Sequence, residues 1–390
     1  MGKITILGDL MCKGNQAELL KKKFGRYAFE DYVGGLKPLL DGSDYAIGNL
    51  ETPVCASPRV TESDVSFNTP VEFLSELRCI GLDFLTLANN HCLDCDVKGL
   101  SETVANVRDA GFAYDGAFMS VEDASTVRVF EVQGVKIALV NSTFGTNSEL
   151  NGVILDEADR WRVALLKSQR KPFRLADPAV LDGSGDCKKT YYADEVLPTS
   201  VGNPKNEAIL EGILAKIEMA RRDADIVIAM PHVGGQYNPG PGVYAKYIVG
   251  RMKEKGADIV IAGHPHVVHR CSRWTGDGTF CAYSLGNTCF TPGIGNYLPN
   301  VLGDYSVVLH LHIDESEKKV ARITFNIVKN VVDEYGLAHV RPVYDIFGEL
   351  KNATARERLA MEVEAVVGRF AGIGGDVEMQ AEYEFPQSAI

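Results

Sequence analysis

The 390-residue chain has no apolar run of about 18 residues, so no membrane span is expected. It has no internal repeat and no low-complexity tract, which argues against repeat arrays and long disordered linkers. Positive charge is in deficit: 40 Lys and Arg stand against 52 Asp and Glu, for a net charge of −12. That balance argues against general binding to nucleic acid or to anionic membranes. The nine cysteines are odd in number and lack framework spacing, which excludes a disulfide scaffold and fits a reducing compartment. Cys92 and Cys95 form one C-x-x-C, no second pair completes a zinc ribbon, and a structural role is expected for them. The first strand-like run, Lys3 to Asp9, is too short for the apolar region of a signal peptide, so the cytoplasm is the expected location.

What is present is a 45% hydrophobic chain long enough for a large core. Strand-like and helix-like segments alternate over residues 1–145, the pattern of an α/β layered fold. Strands are expected at Lys3–Gly8, Tyr45–Gly48 and Asp83–Leu87, and helices at Gln16–Phe24, Pro70–Cys79 and Val97–Ala110. Gln133-Gly134 joins Val127–Val132 to Val135–Val140 as a hairpin. A polar, turn-rich insertion occupies about 146–205. Alternation resumes with helices Asn206–Arg222 and Gly242–Lys255 and strands Asp225–Met230 and Asp258–Ala262. The β-rich segments Phe280–Leu285, Ser306–Ile313 and Val320–Val328 follow, then a helix near Thr354–Phe370. One main domain over 1–345 is expected, with 346–390 as a C-terminal helix and tail packed on it.

Five apolar strands end in turns that carry ligand-type side chains: Gly8-Asp9, Gly48-Asn49-Leu50-Glu51, Asn89-Asn90-His91, Pro231-His232 and Gly263-His264-Pro265-His266. Asp9 alone serves equally well as a helix cap, and a solitary His232 as a satisfied core histidine. Five such strand ends in one chain point instead to a shared site, because loops gather at the C-terminal edge of a layered sheet. Carboxylate and amide oxygens with imidazole nitrogens suit divalent Mn, Fe or Zn better than a thiolate set would. His310 and His312 share one face of a strand and have no third ligand nearby in sequence, so a solvated face is expected there. Pro239-Gly240-Pro241-Gly242 reads as a rigid turn beside the site.

The order GD, GNLE, NNH, a lone His and GHxH resembles the calcineurin-like metallophosphatase superfamily. The strings Gly8-Asp9-Leu10-Met11, Asn49-Leu50-Glu51-Thr52-Pro53, Asn89-Asn90-His91 with Asp94, His264-Pro265-His266-Val267 and Tyr283-Ser284-Leu285-Gly286-Asn287 are similar to its CapA, poly-γ-glutamate capsule branch. The resemblance implies a four-layer α/β/β/α sandwich with the site between the loop edges of two sheets. It implies Asp9, Asn49, Glu51, Asn90, His232, His264 and His266 as metal-facing residues. It makes His91, with His232 and Asn90, part of the catalytic set, His91 being the acid that protonates a leaving group. Asn287 and Gln236 would contact substrate. Three positions depart from the superfamily: Met11 replaces a His, Asn49 and Glu51 stand where a bridging Asp is usual, and Gln236 replaces a Glu. The reduced negative charge leaves one ion, two or none as the expected complement.

Residues 160–174 hold six cations and no acid. Read as a helix, the segment puts charges on one side, and Arg160, Arg162, Arg170 and Arg174 would gather an anionic peptide or polymer. The expected function is a metal-dependent hydrolase or transferase of CapA type acting on a polyglutamate-like chain. The alternatives are a metal-independent acid–base enzyme using the same histidines and a non-catalytic accessory that binds acidic polymers.

Overall fold

A computed structural model describes residues 1–12, 14–62, 66–169, 201–272, 278–290, 301–375 and 377–387. Among them, strands β1 (Gly2–Leu10), β2 (Tyr45–Leu50), β3 (Phe84–Thr86) and β4 (Ala113–Asp115) run parallel in one sheet. The second sheet begins with the hairpin β5 (Arg128–Val132) and β6 (Val135–Thr143). Gln133 and Gly134 both take positive φ at its turn, as a two-residue hairpin with a primed turn requires. Strands β7 (Ile226–His232), β8 (Ile259–Ile261) and β9 (Phe280–Ala282) extend this sheet in parallel. The chain then changes sheets: β10 (Asn287–Cys289) pairs with β1, and β11 (Tyr305–Asp314), β12 (Lys319–Val332), β13 (Ala338–Pro342) and β14 (Tyr383–Glu384) complete the first sheet.

The sheets face each other because their strands alternate two apolar faces. Ile4, Ile6, Ile47 and Phe84 meet Ile137, Leu139, Ile226, Ile228 and Ile259 in one core between the sheets. Ala138, Val140, Val227 and Ala229 point the other way, among Leu210, Leu214, Ile217 and Ile248 of helices Pro204–Asp223 and Val243–Glu254. The same helix-side core takes Phe73, Leu74 and Leu77 from helix Glu72–Cys79, and Leu100 and Val104 from helix Asp96–Asp109. This is the expected α/β/β/α sandwich. Helix Ala353–Ala371 contributes Leu359, Val363, Val366, Val367 and Phe370 to the core shared with the sheets.

Three expectations need correction. His310 and His312 are 0% and 8% exposed, not solvated. The tail around β14 covers them, and Asn326 donates to the Ala381 carbonyl at its edge. Phe280–Leu285 is not one strand: it ends at Ala282 so that the chain can cross between the sheets. Residues 160–169 are not helical beyond the single turn Arg160–Arg162. Val163-Ala164-Leu165-Leu166 is buried and extended, bridging Ala117 and Thr143, as a short apolar run packed on sheet edges should be. Arg170 and Arg174 lie outside the described residues. The strands β4, β13 and β14 and the helix Val343–Glu349 were not foreseen from sequence.

Candidate metal centre

Sheet register gathers the five motifs. Across the first sheet Asp9 pairs with both Asn49 and Asn287, and Asn49 with Thr86. Across the second, Thr143 pairs with His232, and His232 bridges to Gly263. The crossing loop explains Gly8: a Cβ there would sit 2.1 Å from the Gly286 carbonyl oxygen, which accepts from Asp9 N at 3.1 Å. Gly263 is similarly required, since its Cβ would come within 2.9 Å of Asp9 Oδ1. Glu51 is brought in by its backbone N–H, which donates to the Leu10 carbonyl at 2.9 Å.

The donor atoms converge. Around His232 Nε2 lie Asn90 Oδ1 at 2.8 Å, His264 Nδ1 at 3.2 Å and Glu51 Oε1 at 3.4 Å. On the other side of Glu51, His266 Nε2 is 3.8 Å from Oε1, and His266 Nδ1 is 3.4 Å from Asp9 Oδ2. Two sets therefore form, Glu51–His232–His264 and Asp9–Glu51–His266, and Glu51 belongs to both. Asn49 plays a different part from Glu51. Its amide donates to Asp9 Oδ1 at 2.8 Å, while its oxygen accepts from Thr86 and from the Asn89 amide, each at 3.3 Å. Asn49 thus aims Asp9, with its own oxygen engaged elsewhere.

The electrostatics fit a cation. Burial pushes Glu51 well above the usual carboxyl range, and the Asp9 charge adds to the effect. Burial would raise Asp9 as well, but the His266 hydrogen bond, the His232 and His266 charges and the Asn49 amide hold it below its ordinary value. Burial lowers His232 to about 4 and drives His264 well below the imidazole range, so both are neutral with lone pairs available at pH 7. His266 moves upward because Glu51 and Asp9 outweigh its burial. Both Glu51 oxygens are buried without a hydrogen-bond partner. A carboxylate left in that state costs several kcal/mol unless a positive charge meets it. The residues present therefore fit a divalent ion, and their hard oxygen and nitrogen donors suit Mn, Fe or Zn.

Backbone strain marks the same place. His264, His266 and Tyr237 have φ of 94°, 58° and 56°. Non-glycine residues held there cost on the order of 1–3 kcal/mol each and concentrate at functional sites. Tyr237 N donates to the Pro265 carbonyl at 2.8 Å, and its ring centroid lies 5.6 Å from that of His266. Half-buried Gln236 sits in this turn, next to Gly235. His266 Nδ1 is 2.8 Å from Asn287 Oδ1, so Asn287 orients a ring of the centre.

His91 stands at the rim of this group. Its Nδ1 lies 2.8 Å from Asp94 Oδ2, which also accepts from Phe67 N at 2.8 Å, and the Phe67 ring covers the imidazole at 4.2 Å. Sequence reasoning missed Asn147. It takes φ +49° after β6, accepts from the Asn90 amide at 3.2 Å, and brings its own amide to 3.5 Å from His91 Nδ1. It missed Phe144 too, whose ring packs on His264 at 4.7 Å and whose N–H donates to the His232 carbonyl. No ligand-type pattern announces either residue. Among the described cations of the basic insertion, Lys167 reaches the site: it is buried, with Nζ 5.5 Å over the Phe144 ring. Arg162 instead donates to Asp159 at 2.6 Å, and Arg160 is half-buried in the adjoining turn. The thiols stand apart from this chemistry. Burial raises Cys92 to about 12, and Cys95 hydrogen-bonds with Cys55, not with Cys92.

The family model described as "Bacterial capsule synthesis protein PGA_cap" matches residues 3–292, from β1 through the Asn287 strand. The chain belongs to this capsule-synthesis family. Within the family it is similar to the PGA biosynthesis protein CapA of Bacillus subtilis (strain 168), at 26% identity over 74% of this chain and 63% of that protein. It is also similar to the capsule biosynthesis protein CapA of Bacillus anthracis, at 24% identity over 74% of this chain and 60% of that protein. The chain thus spans less than two thirds of the length of either relative. Among solved structures it is similar to a phosphatase from Mycoplasma pneumoniae, with TM-score 0.43, 14% identity and coverage of 86% of this chain and 95% of that one. A hypothetical protein from Thermus thermophilus gives TM-score 0.39 and 14% identity, covering 87% of this chain and 97% of that one. Among the described residues no helix is long and apolar enough to cross a membrane.

Proposed function

We propose that this member of the capsule-synthesis family is a metal-dependent hydrolase or transferase acting on an anionic, peptide-like chain. The observation that carries the reading is Glu51, whose two buried, unpartnered oxygens stand at the junction of both ligand sets. Asp9, Glu51, Asn90, His232, His264 and His266 would hold the ion or ions, and Asn49 and Asn287 would orient Asp9 and His266. A bound divalent ion supplies Lewis acidity toward a carbonyl or phosphoryl oxygen and activates water. The protein's own groups do the rest. Asp94 fixes the His91 ring, so that His91 can pass a proton to a leaving group. Lys167 places positive charge beside Phe144, where a substrate carboxylate or phosphate would enter.

The test is metal analysis of protein purified without chelator, for wild type, Glu51→Ala and His264→Ala, followed by assays on a generic phosphate ester and on oligoglutamate. Stoichiometric Mn, Fe or Zn in wild type, lost in both variants together with turnover, is the expected result. Turnover that survives exhaustive EDTA and the Glu51→Ala change would overturn it, and would favour metal-free acid–base chemistry by the His91–Asp94 pair.

A further inference from the structure

A second cationic feature lies on the side of the fold built by the C-terminal helix. A groove of about 640 Å³ is lined by Lys246, Arg270 and Arg369, with Pro239, Phe370 and Phe385 among its apolar walls and no carboxylate among the described residues that line it. That volume falls within the range of about 300–1,000 Å³ usual for ligand sites. Other cations of this acidic chain find acids: Arg251 meets Glu207 and Glu211, Arg221 meets Asp258, and Lys329 meets Glu362. Among the described residues, no carboxylate lies within 4.0 Å of Lys246, Arg270 or Arg369. Arg369 donates to the Val301 carbonyl at 2.7 Å, and burial pulls its pKa below the ordinary arginine value. The nearby end of helix Ala353–Ala371 does not supply the missing acceptors. Its Phe370 carbonyl already accepts from Cys271 N, and its Gly368 carbonyl from Gly372 N, each at 3.0 Å.

The groove is joined to the metal centre by the chain itself. The turn after His232 runs on into Pro239–Pro241, and the turn after His266 runs on into Arg270. His269 ties the two together, with Nε2 2.8 Å from the Asn238 carbonyl. The opposite wall, from Gly368 to Gly372 and at Phe385, lies outside the residues that the family model matches.

We propose that this groove is a second binding site, for a segment of acidic peptide. Two guanidinium forks and an ammonium bind carboxylates, and the aromatic and proline walls take up the methylenes between them. A nucleic acid fits poorly, since the net charge of −12 repels a dense phosphate backbone. The site does not depend on the hydrolase reading, because it would hold such a chain whether or not the metal centre turns it over.

The experiment is fluorescence anisotropy with labelled hexaglutamate at low salt, on the full chain. Hexaglutamine serves as the neutral control and tripolyphosphate as the competing anion. Wild type should bind hexaglutamate well above hexaglutamine, and more weakly as NaCl rises. Arg270→Gln should weaken binding at least about tenfold, the lower end for a lost charge-assisted contact. Lys246→Gln should weaken it less. Because Arg369→Gln also loses the Val301 bond, thermal melts accompany it, while the exposed Arg270 and Lys246 keep the test free of folding effects. Equal binding of the two peptides, or full binding by Arg270→Gln/Lys246→Gln, overturns the proposal. So does a groove-dependent preference for tripolyphosphate over hexaglutamate.

Discussion

Two groups of histidines are buried in this sandwich, and they differ in what completes them. On β11, His310 hydrogen-bonds with Thr5 and Asn326, and His312 with Thr324 and the Arg322 guanidinium, so every ring has its partners. At the loop edge, His232, His264 and His266 converge on a carboxylate whose oxygens have no hydrogen-bond donor, and two of the three sit on left-handed backbone. Burial and H-x-H spacing are common to both groups. Unmet charge and strain belong to one. A buried histidine pair is therefore weak evidence of a site until its acceptors are counted.

The sharpest way to separate the two groups is to remove the unmet charge. Glu51→Gln should lower metal affinity by more than about 100-fold, beyond the range seen for outer-shell partners. It should leave the EDTA-treated protein at least as stable as wild type, because a buried, unpartnered carboxylate has gone. A lower melting temperature for that variant in scanning calorimetry would mean that Glu51 has a structural partner after all. At the other group the expectation reverses. His310→Ala should cost about 1–3 kcal/mol in urea melts, from the buried partners it leaves unpaired, with metal content unchanged.

Acid should affect both groups in metal-free protein. Burial sets both His232 and His310 at about 4, against 6.5 for exposed imidazole, so the unfolded chain takes up protons that the folded chain refuses. Stability is then full above about pH 6.5 and is lost as pH falls toward 4. Urea melts at pH 7.5 and pH 5 should show the drop, and it should be smaller in His310→Ala. Asn147→Gly, which keeps the left-handed backbone and deletes the amide, should slow turnover about tenfold, the lower end for groups behind a metal site. Asn147→Ala should be worse in melts because alanine resists φ +49°. The smallest change is expected from Arg162→Ala. Its pairing with Asp159 is partly exposed, and its loss should cost under about 1 kcal/mol and leave the metal in place.

The strand-end motifs were legible because each ligand sits within a contiguous string that also encodes its strand and turn. Gly8 before Asp9 and Gly263 before His264 are demanded by close approach, so fold and site are written in the same residues. Asn147 and Phe144 were not legible, since they act through a loop whose path depends on where β6 delivers it. His310 and His312 were misread because the covering tail arrives from residues 381–385, far along the chain. The charge excess at 160–174 was visible, but the apolar Val163–Leu166 run inside it decides the local structure, and Lys167 reaches the site as a result.

The register that pairs Asp9 with Asn287 also bears on how the molecule comes together. Asp9 and His264 touch across 255 residues of sequence, and Glu51 shares a ligand set with each. Each ligand set takes residues from the ends of both sheets, so the proposed ion could be captured only after both sheets have formed and docked. Contacts of such long separation are slow to close and reward the chain only late. Under the proposed function, uptake of an ion would mark the end of folding, as a lock turned on a finished sandwich.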